Sequence, residues 1–152
     1  MNNLKFHGVT SVIFAGVAIA LAVMAMFQSA LWAGIGYLFV CVIGSSVVLY
    51  SFCAKCPCKA RCGHVFPGKA AMLFKRRPGP YSKIEVYAML VALLLLVGWP
   101  QPALLGRPGT LITFWVLIGV AGIQARSMVC RACGNVYCPL NKAKQTVSIA
   151  KE

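Results

Sequence analysis

Apolar residues run along this chain in four blocks, each too evenly apolar to present one polar face and one buried face. The first, Val9 to Phe27, holds neither charge nor proline over nineteen residues. At about 1.5 Å per residue such a helix reaches about 28 Å, close to the hydrocarbon thickness of a bilayer. Gln28-Ser29 breaks the pattern, and a second block follows with Trp32 near one end and Tyr50 near the other, as interfacial belts require. The short break predicts a tight helical hairpin. Gly16, Gly34, Gly36, Gly44, Ser45 and Ser46 are positions expected to let the helices approach closely.

Ser82-Lys83-Ile84-Glu85 fits a capping box and opens the third block, which Pro100-Gln101-Pro102 ends. Arg107-Pro108-Gly109 is a turn, and a fourth block runs on to Arg126, which is placed to snorkel at its end. The expected spans are therefore about 9–27, 30–52, 84–99 and 111–128. The fold predicted is all-α: one integral membrane domain over 1–152, a four-helix bundle of two helical hairpins. Lys5 ahead of the first block also resembles a secretory signal, but the run is long and Gln28-Ser29-Ala30 is a poor cleavage site, so it reads as a retained span.

Composition agrees: 60% of the residues are hydrophobic, 11% are charged, and mean hydropathy is +0.79, outside the range of soluble domains. The formal charge of +13 does not point to nucleic acid, because eight of the fifteen basic residues fall in one segment, from Lys55 to Lys83, between apolar blocks. Lys5, that segment and the five basic residues from Arg126 onward lie on one side of the four spans, with Arg107 alone opposite. Positive-inside then predicts an inner-membrane protein with both termini in the cytoplasm. Lys69 to Arg77, basic and studded with Met72, Leu73 and Phe74, is expected to lie as a short helix among anionic headgroups of the bilayer.

Chemistry enters with the cysteines. Segment 53–64 reads Cys53-x2-Cys56-x-Cys58-x3-Cys62-Gly63-His64, and segment 130–139 reads Cys130-x2-Cys133-x4-Cys138-Pro139. Each opens with Cys-x-x-Cys directly after the second helix of a hairpin, a shared plan that suggests an internal repeat about an axis along the membrane normal. Both segments fall on the predicted cytoplasmic side, where thiols stay reduced, so metal binding is the leading expectation. The candidate ligands are Cys53, Cys56, Cys58, Cys62, His64, Cys130, Cys133 and Cys138. Cys53, Cys56, Cys130 and Cys133 are the expected shared site, with the others as a second site or reserve ligands. Lys55, Lys59, Arg61 and Arg131 are expected to favour the thiolate forms. Cys41, in mid-span, reads as packing.

The ferredoxin run Cys-x2-Cys-x2-Cys-x3-Cys-Pro is approached by the first segment, which is one residue short and has Gly63 in place of proline. Taken with the cysteine segments after the second and fourth spans, the chain resembles the polyferredoxin-type 4Fe-4S membrane subunits of nitrate and nitrous-oxide reduction systems. That resemblance implies an iron-sulfur centre on the cytoplasmic face and a role as an electron-transfer or anchoring subunit working with a redox protein partner. Two other readings stand beside it: a zinc-stabilised membrane scaffold or assembly protein, and a membrane thiol-disulfide oxidoreductase. The only carboxylates, Glu85 and Glu152, are too few for paired acid-base catalysis, and no residue set for a complete catalytic site is present.

Overall fold

The structure is a computed structural model that describes residues 2–59, 62–76, 78–131, 133, 135, 137 and 138. The described residues form helices and no strands. In order they are α1 (Asn2–Ser29), α2 (Leu31–Val48), α3 (Val65–Met72), α4 (Lys83–Gly98), α5 (Gln101–Leu105) and α6 (Pro108–Gln124). A five-residue π-helical turn, Leu49–Cys53, continues α2, and a six-residue one, Ala125–Cys130, continues α6. Four continuous stretches are long and apolar enough to cross a bilayer: Asn3–Ser29, Leu31–Cys53, Lys83–Leu105 and Pro108–Cys130.

The first helix begins before the apolar block, carrying Lys5 and His7 as its opening turns. Ala30, in extended backbone, is the single residue between α1 and α2. The reversal is this tight because Gly34 has no Cβ where the ring of Phe27 lies. Gly44 similarly admits Leu96 of α4, with a would-be Cβ 3.2 Å from Leu96 Cγ. Of the other small residues expected at helix contacts, Gly16 and Gly36 have no neighbour within 4 Å of a would-be Cβ, and Ser45 and Ser46 are exposed. The close packing comes instead from alanines. Ala18, Ala22 and Ala25 lie on one face of α1 and meet Tyr37, Leu104 and Phe114 in the core.

The most extensive helix pairings are α1 with α6, α1 with α2, and α2 with α4, so the first helix of each hairpin rests on the second helix of the other. Helices α4 and α6 are bridged by α5, which packs on α1 and α6. Large apolar side chains point outward along the spans: Leu94 is 70% and Val42 66% exposed, an arrangement suited to lipid as the surrounding solvent.

The third span continues past Gly98 because Pro100 does not end it. Pro100 lacks the N–H that would bond the carbonyl of Leu96, and the buried hydroxyl of Tyr37 donates to that oxygen at 2.6 Å. The capping box at the start of α4 forms as the sequence predicts: Glu85 N donates to Ser82 Oγ at 3.2 Å, and Ser82 N to Glu85 Oε2 at 2.7 Å.

Helix α3 differs from its expected position. It opens at Val65, four residues before Lys69, with Pro67-Gly68 inside it. Proline is tolerated there because first-turn amides have no helical partner anyway. Gly68 lets the helix sit on the cysteine loop, a would-be Cβ lying 2.8 Å from Lys59 O and 3.0 Å from Cys62 Cβ. Phe66, Met72 and Leu73 face outward. Arg77 lies outside the described residues.

Candidate metal centre

Each second helix of a hairpin ends in a π-helical turn whose last residue is the first cysteine of its segment, Cys53 or Cys130. The following turns match: Cys56 N donates to Cys53 O at 3.2 Å, and Cys133 N to Cys130 O at 3.2 Å. Both these helical stretches, Leu31–Cys53 and Pro108–Cys130, are 23 residues long. A π turn spreads the backbone by one residue and often marks a functional site.

The loop after Cys56 returns by successive turns, Lys59 N to Cys56 O at 3.3 Å and Cys62 N to Lys59 O at 3.5 Å. It is held against the start of α1. Gly8 has no Cβ at the point where the Gly63 carbonyl approaches, and Gly63 in turn packs against Leu4 and Val129. The N-terminal turns of α1 thereby wall the cysteine loop, which composition alone does not signal.

The sulfurs of Cys56, Cys58 and Cys133 lie within 4.8 Å of one another. Two come from the loop after the first hairpin and one from the segment after the second. A tetrahedral ion with metal–sulfur bonds of about 2.3 Å spaces its sulfurs at about 3.8 Å, so small side-chain adjustments suffice to close the trio around one ion. Backbone amides point at the sulfurs: the N–H of Cys58 donates to Cys56, that of His64 to Cys62, and that of Asn135 to Cys133. Cys56 and Cys133 are hydrogen-bonded to each other. The hydrogen bond from Cys56 holds Cys133 below the ordinary thiol range, and the same bond, with burial, pushes Cys56 up. Burial pushes Cys62 up.

The remaining thiols are neighbours of this trio. Cys62 is in electrostatic range of Cys58 and Cys133, Cys53 of Cys62 and Cys138, and Cys130 of Cys138, Cys133 and Cys62. The seven sulfurs thus occupy one basin, and none of them is joined in a disulfide. Of the expected shared site, the structure brings Cys56 and Cys133 together with Cys58, while Cys53 and Cys130 end the two π-helical turns. Cys41 packs against the core within the second span.

His64 Nδ1 contacts Gly8 O at 3.2 Å and Ser11 Oγ at 3.3 Å. Ser11 spends its own proton on Gly8 O at 3.0 Å, so both contacts are acceptors and Nδ1 carries the hydrogen. Burial lowers the pKa of His64, which leaves a neutral ring whose Nε2 presents a lone pair. A carbonyl on the far nitrogen is the usual support of a histidine ligand.

Asn135 and Tyr81 are site residues that the spacing of cysteines does not reveal. Asn135 is buried, with Nδ2 3.4 Å from Cys56 Sγ and 3.1 Å from Tyr81 Oη. Tyr81 stacks on Phe52 at 4.7 Å between ring centroids, and burial raises its pKa. An asparagine two residues after a cysteine is the one hint the sequence offers.

The expected role of the interleaved cations is altered. Lys55 Nζ turns to Glu85 Oε2 at 2.8 Å, and Arg76 holds Oε1 of the same carboxylate at 2.8 Å. Lys59 donates to Ala54 O at 3.3 Å, Arg131 is exposed, and Arg61 lies outside the described residues. Compensation of thiolate charge therefore falls more to N–H donors than to Lys55. Pro139 and the tail beyond it also lie outside the described residues.

At the opposite end of the molecule Arg107 bonds Gln28, and Trp115 Nε1 donates to Gln101 Oε1 at 3.2 Å. The cysteine segments and the start of α1 share one end of the molecule.

These features define a class: an all-helical chain with four helices of membrane-spanning length and a thiol basin, able to hold a metal ion, at one end of them. Comparison with protein-family models, with curated proteins and with solved structures returns no match.

Proposed function

We propose that this protein is an integral membrane metalloprotein in which a thiolate-bound ion ties the two hairpins together. The cysteine end faces the cytoplasm, and the protein acts as a scaffold or anchoring subunit for a partner there. The observation that carries this reading is the convergence of Cys56, Cys58 and Cys133 within 4.8 Å from both halves of the chain. That spacing suits one tetrahedral ion, for which zinc is the natural occupant, with the fourth ligand from Cys62 or His64 Nε2. Bound metal would supply folding free energy by joining segments that are separate in sequence. Phe66, Met72 and Leu73, flanked by Lys69 and Lys75, favour contact with lipid and anionic headgroups at this end.

A second reading, an iron-sulfur centre in an electron-transfer subunit with a redox protein partner, is favoured by the electrostatic proximity of Cys53, Cys62, Cys130 and Cys138. Such a cluster uses four thiolates, and of these Cys62 accepts from the backbone N–H of His64. The deciding experiment is metal analysis and the visible spectrum of full-length protein purified anaerobically in detergent. Stoichiometric zinc with no visible band supports the scaffold reading. Iron with acid-labile sulfide and a band that bleaches on reduction replaces it with the electron-transfer one. A reducible disulfide and no metal overturns both in favour of thiol exchange.

A further inference from the structure

Asn135 is 1% exposed, and its carboxamide is fixed in one orientation. The backbone N–H of Tyr137 donates to Oδ1 at 3.0 Å, so the atom facing Cys56 Sγ at 3.4 Å and Tyr81 Oη at 3.1 Å is the NH2 nitrogen. An amide nitrogen only donates, so Cys56 sulfur and the Tyr81 oxygen accept. The same residue's backbone N–H donates to Cys133 Sγ. One residue therefore reaches the sulfurs of both halves, by side chain to the first and by main chain to the second. Tyr81 anchors the far end of the bridge on Phe52, next to Cys53.

We propose that Asn135 is the positioning residue of the metal centre, its carboxamide orienting Cys56 as a thiolate ligand through an N–H···S bond and setting that sulfur's donor strength toward the ion. The inference rests on the reading that Cys56, Cys58 and Cys133 bind metal. A hydrogen bond to a thiolate draws charge from the sulfur, so its loss leaves a more electron-rich, more readily oxidised sulfur whose lone pairs are no longer aimed. Tyr81 takes the other amide proton and holds the carboxamide plane.

The test uses full-length protein in detergent, stripped of metal and recharged anaerobically with Co2+. In the wild type, sulfur-to-cobalt charge-transfer bands are expected. Asn135→Ala and Asn135→Asp are expected to take up the same equivalents of cobalt with those bands moved to lower energy and affinity reduced about 10–100-fold, the usual cost of losing an outer-shell partner. Cys41→Ala, altering a thiol within the second span and outside the basin, is the control and is expected to keep the wild-type band energy. A purely structural Asn135 would lower stability while leaving the spectrum of the loaded centre unchanged, and that result overturns the inference. Should the Asn135 variants fail to fold, the wild type charged with NMR-active cadmium answers the same question. Scalar coupling between cadmium and the labelled Asn135 side-chain amide protons supports the N–H···S bond, and its absence overturns it. A wild type without thiolate bands overturns the metal reading itself, and this inference with it.

Discussion

The hydroxyl of Tyr37 in α2 occupies the place of a missing backbone donor, reaching the carbonyl of Leu96 that Pro100 leaves unpaired in α4. In a hydrocarbon surrounding an unsatisfied carbonyl is costly. Tyr37→Phe keeps the ring and removes only that bond, so it is expected to destabilise the protein by about 1–3 kcal/mol, read as a lower midpoint in thermal unfolding in detergent. No change in midpoint would mean that water or a backbone shift replaces the hydroxyl.

Gly8 and Gly63 set a second expectation. A methyl group on Gly8 would lie inside the Gly63 carbonyl, which is backbone and cannot rotate away. Gly8→Ala is expected to cost about 1–3 kcal/mol by overpacking and to lower metal uptake together with it, because the loop carrying Cys56, Cys58 and Cys62 is pushed off α1. Gly16→Ala, with no neighbour within 4 Å, is the matched control and should change neither quantity.

His64 predicts a pH dependence of the metal-free protein. Its folded pKa lies below the ordinary value of 6.5 because the ring is buried. Above about that pH the docking of the loop on α1 is at full strength. As pH falls toward the folded pKa the unfolded chain takes up a proton that the folded chain refuses, and stability drops. Thermal unfolding of chelator-treated protein across this window should show the loss, and His64→Gln should flatten it. An equally steep curve in the variant would assign the acid sensitivity elsewhere.

Cysteine variants should separate the trio from the rest. Cys56→Ser, Cys58→Ser and Cys133→Ser are each expected to weaken metal binding by more than the about 10–100-fold of an outer-shell loss, measured by competition with a chromophoric chelator. Cys41→Ala, altering a thiol within the second span, should leave affinity unchanged. Equal losses from Cys53→Ser and Cys130→Ser would instead favour a cluster spread over the whole basin.

The helices were legible because bilayer-length apolar runs and a capping box are local signals. Ser82 and Glu85 satisfy amides within one turn, and the matching Cys-x-x-Cys turns are local as well. Three things were not legible. Helix α3 begins at Val65 because a proline in a first turn costs nothing, so Pro67 is a poor stop signal there. Cys58 lies beside Cys56 and Cys133 through the turns that follow Cys56, whose path the cysteine spacing does not give. Gly8, Tyr81 and Asn135 join the site through contacts between segments far apart in the chain, and no spacing rule encodes those.

The trio of sulfurs drawn from both halves has a consequence for biogenesis. While the ribosome is still making the fourth helix, Cys56 and Cys58 have no Cys133 to meet, and the basin lacks a whole side. On the proposed membrane topology, its completion requires both hairpins to lie in the same orientation. A chain with one hairpin inverted would carry its two cysteine segments at opposite ends, and the trio of Cys56, Cys58 and Cys133 could not form.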